Sequence, residues 1–294
     1  MLSILIPTYN YNVYPLAKEL ENQANNCNIT YEIICFDDGS SSDKNIENEK
    51  INLLKYSSFK VLPQNIGRSK IRNLLASNAQ YDWMLFLDAD TEINNLDFLN
   101  RYLKNITKDD QIIYGGIVYQ KNRPKPDKVL RWVYGNHREA LTLSQREKKP
   151  YISFLTLNFL IHKSVLKKIK FNEDIPNLRH EDTLFSITAK ANQIKIKHIN
   201  NPVVHLGLDT NQIFLKKSLE SVYALKILIR DNYLTFNDTQ LSKTANTLKT
   251  YKLDTLFILS FSLFKPMLKK NILSSSPSLF IFDLYRLGYY LNLT

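Results

Sequence analysis

Glycine is scarce in this chain, 7 residues in 294. None of it forms a G-x-G-x-x-G run or a loop ending in G-K-S/T, the backbone cradles that hold phosphates in dinucleotide folds and P-loop NTPases. That absence argues against both classes. Cysteine is scarcer still. Cys27 and Cys35 lack a C-x-x-C spacing, which leaves no disulfide framework and no zinc site and fits a reducing compartment. No apolar run approaches the ~20 residues of a membrane-spanning helix. The opening Met1-Leu2-Ser3-Ile4-Leu5-Ile6-Pro7 has no basic region ahead of it and is too short for a signal peptide. It reads as a first strand, and the protein is expected in the cytoplasm. No zinc-finger, helix-turn-helix or RNP pattern is present, so nucleic acid is not an expected partner.

Positive charge, by contrast, is abundant. Lys and Arg number 39 against 28 Asp and Glu, a net charge of +11, which favours an anionic partner such as a phosphorylated substrate or an anionic membrane surface. At 294 residues and 44% hydrophobic content the chain can bury a substantial core, as one large domain or one domain with an appendage.

Short apolar runs alternate with helical segments. Leu2 to Ile6 is followed by a helical stretch around Leu16 to Gln23, then Tyr31 to Phe36, Phe59 to Leu62, a helix over Ser69 to Ser77, and Trp83 to Leu87. This alternation predicts parallel strands in a nucleotide-binding α/β sheet. Further on, Ile112 to Tyr119 and Phe154 to Ile161 read as strands, Ser164 to Ile169 and Glu181 to Ala191 as helices, and Ile194 to Ile199 as a strand. Between them, Lys121 to Pro150 is rich in Lys, Arg and Pro, as a mobile lid or an acceptor-side insertion would be. From Leu215 on, Leu219, Val222, Leu225 and Ile229 recur at helical spacing.

Asp88-Ala89-Asp90 directly follows Trp83 to Leu87. Ligands gather beyond the carboxyl ends of strands in open α/β sheets, and two hard oxygen donors there suit a divalent cation shared with a substrate phosphate. A solvated turn would look the same. Pro7 and Tyr9, just past the first strand, offer a rigid turn and an aromatic face for a nucleotide base, or are plain loop residues. Arg68 follows a Gly-containing turn and precedes a helix, a fitting place for diphosphate oxygens. Lys70 and Arg72 are alternatives, each equally readable as a solvated surface charge.

Taken in order, Ile4-Leu5-Ile6-Pro7-Thr8-Tyr9-Asn10, Asp37-Asp38-Gly39-Ser40, Asn65-Ile66-Gly67-Arg68-Ser69, Asn73 and Asp88-Ala89-Asp90 closely resemble the family 2 glycosyltransferases, inverting enzymes of GT-A fold. Asn158-Phe159, His180-Glu181-Asp182 and His205 match the second half of that pattern, so the resemblance covers about residues 1 to 207. It implies a mostly parallel central sheet flanked by helices, with residues 1–110 binding a nucleotide-sugar, 111–210 binding the acceptor, and 211–294 as a helical C-terminal extension. It also implies an enzyme that moves a hexosyl or N-acetylhexosaminyl group from a UDP-linked donor to a hydroxyl of a glycan or lipid-linked acceptor in cell-surface polysaccharide synthesis.

The same resemblance assigns roles. Asp38 accepts a hydrogen bond from a uracil-type base; Asp37 is as readily structural, capping the following turn. Asp90 coordinates Mn²⁺ or Mg²⁺, Asp88 holds ribose or a metal-bound water, and His205 completes the metal shell unless it is structural. Asp182 aligns with the base that deprotonates the acceptor hydroxyl. Acids in a first helical turn are also favoured by the helix dipole. Because that dipole lowers an acid's pKa, Asp182 needs burial or substrate to act as a base. His180 is placed near the acceptor.

The Q-x-x-R-W motif of the processive synthases is missing after His205, which suits a single-addition enzyme. Two other classes compete. A non-catalytic binding module would have lost the acids, which are present. A nucleotidyltransferase would carry a Gly-rich basic loop, which is not. In the tail, Leu256-Phe257-Ile258-Leu259-Ser260-Phe261-Ser262-Leu263-Phe264 and Leu279-Phe280-Ile281-Phe282, broken by Pro266, Lys269 and Lys270, suit a helix in an anionic membrane interface at the inner face of the plasma membrane. They suit equally a helical pair packed on the catalytic domain.

Overall fold

The computed structural model describes residues 1–107, 111–175, 177 and 179–293. In chain order its amino-terminal half runs β1 (Leu2–Thr8), α1 (Tyr14–Asn26), β2 (Tyr31–Asp37), α2 (Lys44–Asn48), β3 (Ser57–Val61), α3 (Arg68–Asn78), β4 (Trp83–Leu87), β5 (Thr91–Glu92) and α4 (Phe98–Leu103). There follow β6 (Ile112–Tyr114), β7 (Ile117–Val118), α5 (Val129–Arg138), α6 (Leu143–Lys148), β8 (Asn158–His162), α7 (Lys163–Lys168), α8 (Glu181–Ala191), β9 (Ile196–His198) and β10 (Val203–His205). Four helices close the chain: α9 (Asn211–Arg230), α10 (Gln240–Thr250), α11 (Asp254–Ile272) and α12 (Leu279–Asn292).

Two compact units divide these elements. The first holds Met1–Gln120, Glu139–Asn177 and Glu181–Gly207. The second holds Lys121–Arg138 and the chain from Leu208 on, with His180. The stretch from 121 to 150 is thus split between them.

In the first unit, described strands form one sheet in the order β3-β2-β1-β4-β8-β6-β9. Neighbours are parallel except around β8, which runs antiparallel to β4 and to β6. Buried runs such as Leu2, Ile4, Leu5 and Ile6 make the central strands apolar on both faces, as a sheet covered by helices on each side requires. The order reverses at β1, with β2 on one side and β4 on the other. The carboxyl ends of those three strands therefore open on the switch-point crevice where such sheets bind ligands. The core lies beneath it. Phe86 stacks on Phe159 at 5.0 Å and Phe171 on Phe185 at 4.3 Å between ring centroids.

Three expected strands are shorter than their sequence patterns, β9 covering only Ile196–His198 of the run from Ile194 to Ile199. β8 begins at Asn158, not Phe154. The run from Ile112 to Tyr119 breaks at Gly115-Gly116, because the chain there leaves the large sheet for a second one ordered β5-β10-β7. Gly116 has φ +99, and a Cβ on Gly115 would lie 2.4 Å from the Asn201 carbonyl oxygen. Apolar pattern alone cannot register a change of sheet. Asn158 holds the junction. Its Nδ2 donates to the carbonyls of Gly116 (2.9 Å) and Asn201 (3.0 Å), and its Oδ1 accepts from the Tyr102 hydroxyl (2.7 Å).

Arg146 anchors the part of the 121–150 stretch that belongs to this unit. Buried, it donates to the carbonyls of Ile199 (2.9 Å) and Leu141 (3.2 Å). It also donates to Nδ1 of His198, whose Nε2–H donates to the Pro150 carbonyl. Burial lowers the His198 pKa to about 4, so the ring is neutral between a cation and a carbonyl.

The second unit is helical. Its core gathers Leu130, Phe214, Leu215, Phe261, Ile272, Phe282 and Tyr285. Thr210 caps α9, Thr239 caps α10 and Ser278 caps α12, each through a side-chain oxygen, which satisfies amides that would otherwise lack partners. α11 runs through Pro266, so the proline expected to separate two apolar runs lies inside one helix. No described helix is long and apolar enough to cross a membrane.

Candidate active site

The site is built at the carboxyl ends of β1, β2 and β4. Pro7, expected in a turn past the first strand, lies within β1, half-buried and paired with Phe36 of β2, because the strand runs on to Thr8; Tyr9 follows the strand and is exposed. Past β2, both acids are buried. Asp37 accepts from the Ser40 amide and hydroxyl, each at 2.7 Å. Asp38 accepts from the amides of Ile66 (2.7 Å) and Gly67 (3.0 Å). Asp38 therefore ties the β2 turn to the start of α3. Burial raises its pKa against the pull of those two amides. Each oxygen keeps a second lone pair for a ligand donor.

Gly67, at φ +91, turns the chain into α3, whose first residue is Arg68. That side chain is half exposed, with Nη1 3.5 Å from Glu181 Oε1. Arg72, one turn later on the same face, is the buried cation. Its Nη2 donates to Asp88 Oδ1 at 2.8 Å and its Nη1 lies 3.7 Å from Glu181 Oε1. The surface-charge reading of Arg72 is therefore corrected: it bridges the acids after β4 to the acid that opens α8. The signal available in sequence was its i+4 spacing from Arg68.

Past β4, burial raises the pKa of Asp88, opposed by Arg72 and reinforced by Asp90. Asp90 Oδ2 is 3.4 Å from His205 Nε2, although 115 positions separate the two in sequence. The small sheet brings them together. β10 pairs antiparallel with β5, His205 opposite Thr91, and the Leu206 amide donates to the Asp90 carbonyl at 2.8 Å. Gly207 permits this approach, since a Cβ there would fall 2.2 Å from Asp90 Oδ2 and 2.9 Å from His205 Cε1. Sequence reasoning passed over Gly207 and also Tyr119, whose ring lies 5.4 Å from that of His205 and whose hydroxyl donates to Glu139.

No described cluster of three His, Cys, Asp or Glu side chains could hold a metal. Asp90 and His205 supply two donors facing one another, and His205 Nδ1 is buried without a partner. A carboxylate and an imidazole fit Mn²⁺ or Mg²⁺ if diphosphate oxygens and water complete the shell.

Asp182 lies in the first turn of α8, after Arg179 and His180, both at positive φ. Its Oδ1 accepts from the Thr183 amide at 2.7 Å. Burial, reinforced by Glu181, pushes its pKa up to about 6 against Arg72 and Arg68. Burial thus outweighs the Thr183 amide and the two arginines. His180 belongs with the second unit, where its Nε2 meets the Ser221 carbonyl of α9 at 2.9 Å.

The sequence model of glycosyl transferase family 2 matches residues 3–170. A glycosyltransferase of Haemophilus influenzae, described as uncharacterized, is 30% identical over 193 residues, covering 63% of this chain and 70% of that one. The chain belongs to glycosyl transferase family 2. Among solved structures, residues 1–349 of S. aureus TarS in complex with UDP-GlcNAc give a TM-score of 0.52 at 19% identity, over 97% of this chain and 89% of that one. The mannosyltransferase PcManGT of Pyrobaculum calidifontis, in complex with GDP-Man and Mn²⁺, gives 0.51 at 15% identity, over 78% and 64%. Against a longer TarS chain the match spans 39% of the length. At such identities the likeness is one of fold, and that fold is GT-A. The family match reaches the acids after β2 and β4 and stops short of Asp182 and His205.

Proposed function

We propose that this family 2 enzyme transfers a hexosyl or N-acetylhexosaminyl group from a UDP-linked donor to a hydroxyl of a glycan or lipid-linked acceptor, with inversion, in cell-surface polysaccharide synthesis. The observation that carries the reading is Asp182, a half-buried carboxyl whose desolvation raises its pKa to about 6, in electrostatic reach of the Arg72 that also holds Asp88. A base working near neutral pH needs a pKa near neutral. The UDP-GlcNAc of the TarS complex supports a uridine donor, and PcManGT with GDP-Man names the competitor to test.

In this reading residues 1–110 hold the donor and 111–210 the acceptor. Tyr9, just past the end of β1 that carries Pro7, stacks on the base, and Asp38 takes a hydrogen bond from it. Arg68 contacts the diphosphate from the start of α3. Asp88, fixed by Arg72, orients the ribose or a water. Asp90 and His205 are the residues that would hold a divalent cation, which when bound neutralises charge on the diphosphate. Asp182 takes the acceptor hydroxyl proton as that oxygen bonds to the anomeric carbon. The bond from that carbon to the diphosphate oxygen breaks, and its electron pair leaves with UDP. Cys27 and Cys35, both free thiols, support a reducing, cytoplasmic location.

The test is thermal stability with UDP, GDP, CMP, TDP and their sugars, with and without Mn²⁺, because a ligand that binds only the folded state raises the melting point. Metal-dependent stabilisation by uridine compounds is expected. Stabilisation by guanosine compounds alone would reassign the donor.

A further inference from the structure

One helix of the second unit is apolar on two opposite faces. On α11, Phe257, Phe261, Leu268 and Ile272 lie inward. Phe261 meets Tyr285 of α12 edge-on at 5.4 Å between centroids, and a Cβ on Gly288 would fall 2.3 Å from the Phe261 ring. On the other side Leu256, Leu259, Leu263 and Met267 recur at i, i+3, i+7 and i+11, and they are 63%, 64%, 74% and 61% exposed. That spacing is one continuous stripe along about three turns. Phe264 beside it and Phe280 on α12 are also exposed. Scattered apolar residues on a surface need no explanation, but an unbroken stripe marks a contact.

The charges around the stripe have one sign. Lys249 and Lys252 precede α11, and Lys265, Lys269 and Lys270 lie in its second half, all exposed. From 249 to 270 the only acid is Asp254. A second copy of the chain would set these lysines against their own images, since a two-fold interface brings the same patch from both sides. Anionic lipid complements them, and an apolar stripe edged by lysine is the form an in-plane interfacial helix takes.

We infer that the outer face of α11 docks this enzyme on an anionic lipid bilayer. Leu256, Leu259, Leu263 and Met267 enter the acyl boundary, and Lys269 and Lys270 engage headgroup phosphates, while Lys265 lies over the ring of the inward Phe261. The surface rests on exposure and charge, and it deepens the proposal of a lipid-linked acceptor by stating how the enzyme reaches the membrane. Its test reads lipid binding and nucleotide binding separately.

The full chain is sedimented with phosphatidylcholine vesicles and with vesicles carrying about a third phosphatidylglycerol, at roughly 0.05 M and 0.5 M salt. Binding to the anionic vesicles alone is expected, weakened by salt. Leu259→Gln with Leu263→Gln should lower the partition coefficient roughly tenfold or more, and Lys269→Gln with Lys270→Gln should remove most of the salt-sensitive part. Both variants should keep the melting-point shift given by nucleotide, which reports the first unit intact. Their own melting points should match the parent, because the changed side chains are exposed. No vesicle binding, equal binding to both lipids, or binding unaltered by the leucine changes overturns the inference. So does a dimer, seen by light scattering, that the leucine changes dissociate in protein that ignores vesicles.

Discussion

At the scale of single residues, the proposed chemistry turns on two carboxyls with different surroundings. The pKa of Asp182 in the folded chain, about 6, lies above the ~3.9 of an exposed aspartate. The folded state therefore binds the extra proton, and stability is greatest below the unfolded value and falls as pH rises from about 4 to 6. At pH 7, above both values, the ionised carboxylate costs roughly 3 kcal/mol, two units at about 1.4 kcal/mol each. Asp182→Asn should thus lower kcat by about 10²–10⁴-fold yet raise the melting point at pH 7, with little gain at pH 4. Turnover of the parent should climb through pH 6. A variant that is both inactive and less stable at pH 7 would show Asp182 to be structural. Asp90 meets its partner through an absence. Gly207→Ala puts a methyl group 2.2 Å from Asp90 Oδ2; with Asp90 holding the cation as proposed, disturbing its surroundings should cost about 10–100-fold in metal affinity. The expected result is a raised Mn²⁺ requirement for nucleotide-induced stabilisation, read by titration, with nucleotide binding at saturating metal retained.

Among elements, the break between β6 and β7 governs the site more than any single strand. Had Ile112 to Tyr119 continued as one strand, β10 would lack its parallel neighbour β7 and His205 would lose the sheet that carries it to Asp90. Asn158 fixes the break with its buried amide. Asn158→Ala would take a partner from the Asn201 and Gly116 carbonyls and the Tyr102 hydroxyl; the hydroxyl keeps the Asn158 main-chain carbonyl (3.1 Å) and Gly116 the Val203 amide (3.4 Å), and a group left unsatisfied costs about 1–3 kcal/mol. We expect a loss of about 2–4 kcal/mol in urea denaturation, with metal-dependent nucleotide binding impaired even where the chain stays folded. β4 and α8 were legible to the residue, Trp83–Leu87 and Glu181–Ala191, because each is a dense apolar run or a clean helical pattern with polar flanks. β8 was read four residues early, because Phe154 and Leu157 are buried in the core without belonging to the strand.

For the whole molecule, the net charge of +11 creates a field that draws in an anionic donor. Charge steering acts on encounter and is screened within a Debye length of about 10 Å at 0.1 M salt. Raising salt from about 0.05 to 0.5 M should lower kcat/KM for the nucleotide-sugar several-fold while leaving kcat nearly unchanged. An equal fall in both would locate the salt effect in the bound complex. The same surplus of lysine surrounds the outer face of α11, the face proposed to meet anionic lipid.

The sequence by itself determined the class of fold, the family, and the acids that end β2 and β4, because apolar periodicity and short motifs are local and survive without tertiary context. It also brought Asp182 and His205 forward, though only through resemblance to a family pattern. Only the tertiary structure decided that Arg72 is a buried bridge and not a surface charge, that Asp38 is bound to the amides of Ile66 and Gly67, and that Gly207 makes room for Asp90 beside His205. It also decided that α11 packs one apolar face and exposes the other. Burial, backbone approach and the meeting of residues more than a hundred positions apart are properties of packing, and a linear pattern does not encode which of two apolar faces finds a partner.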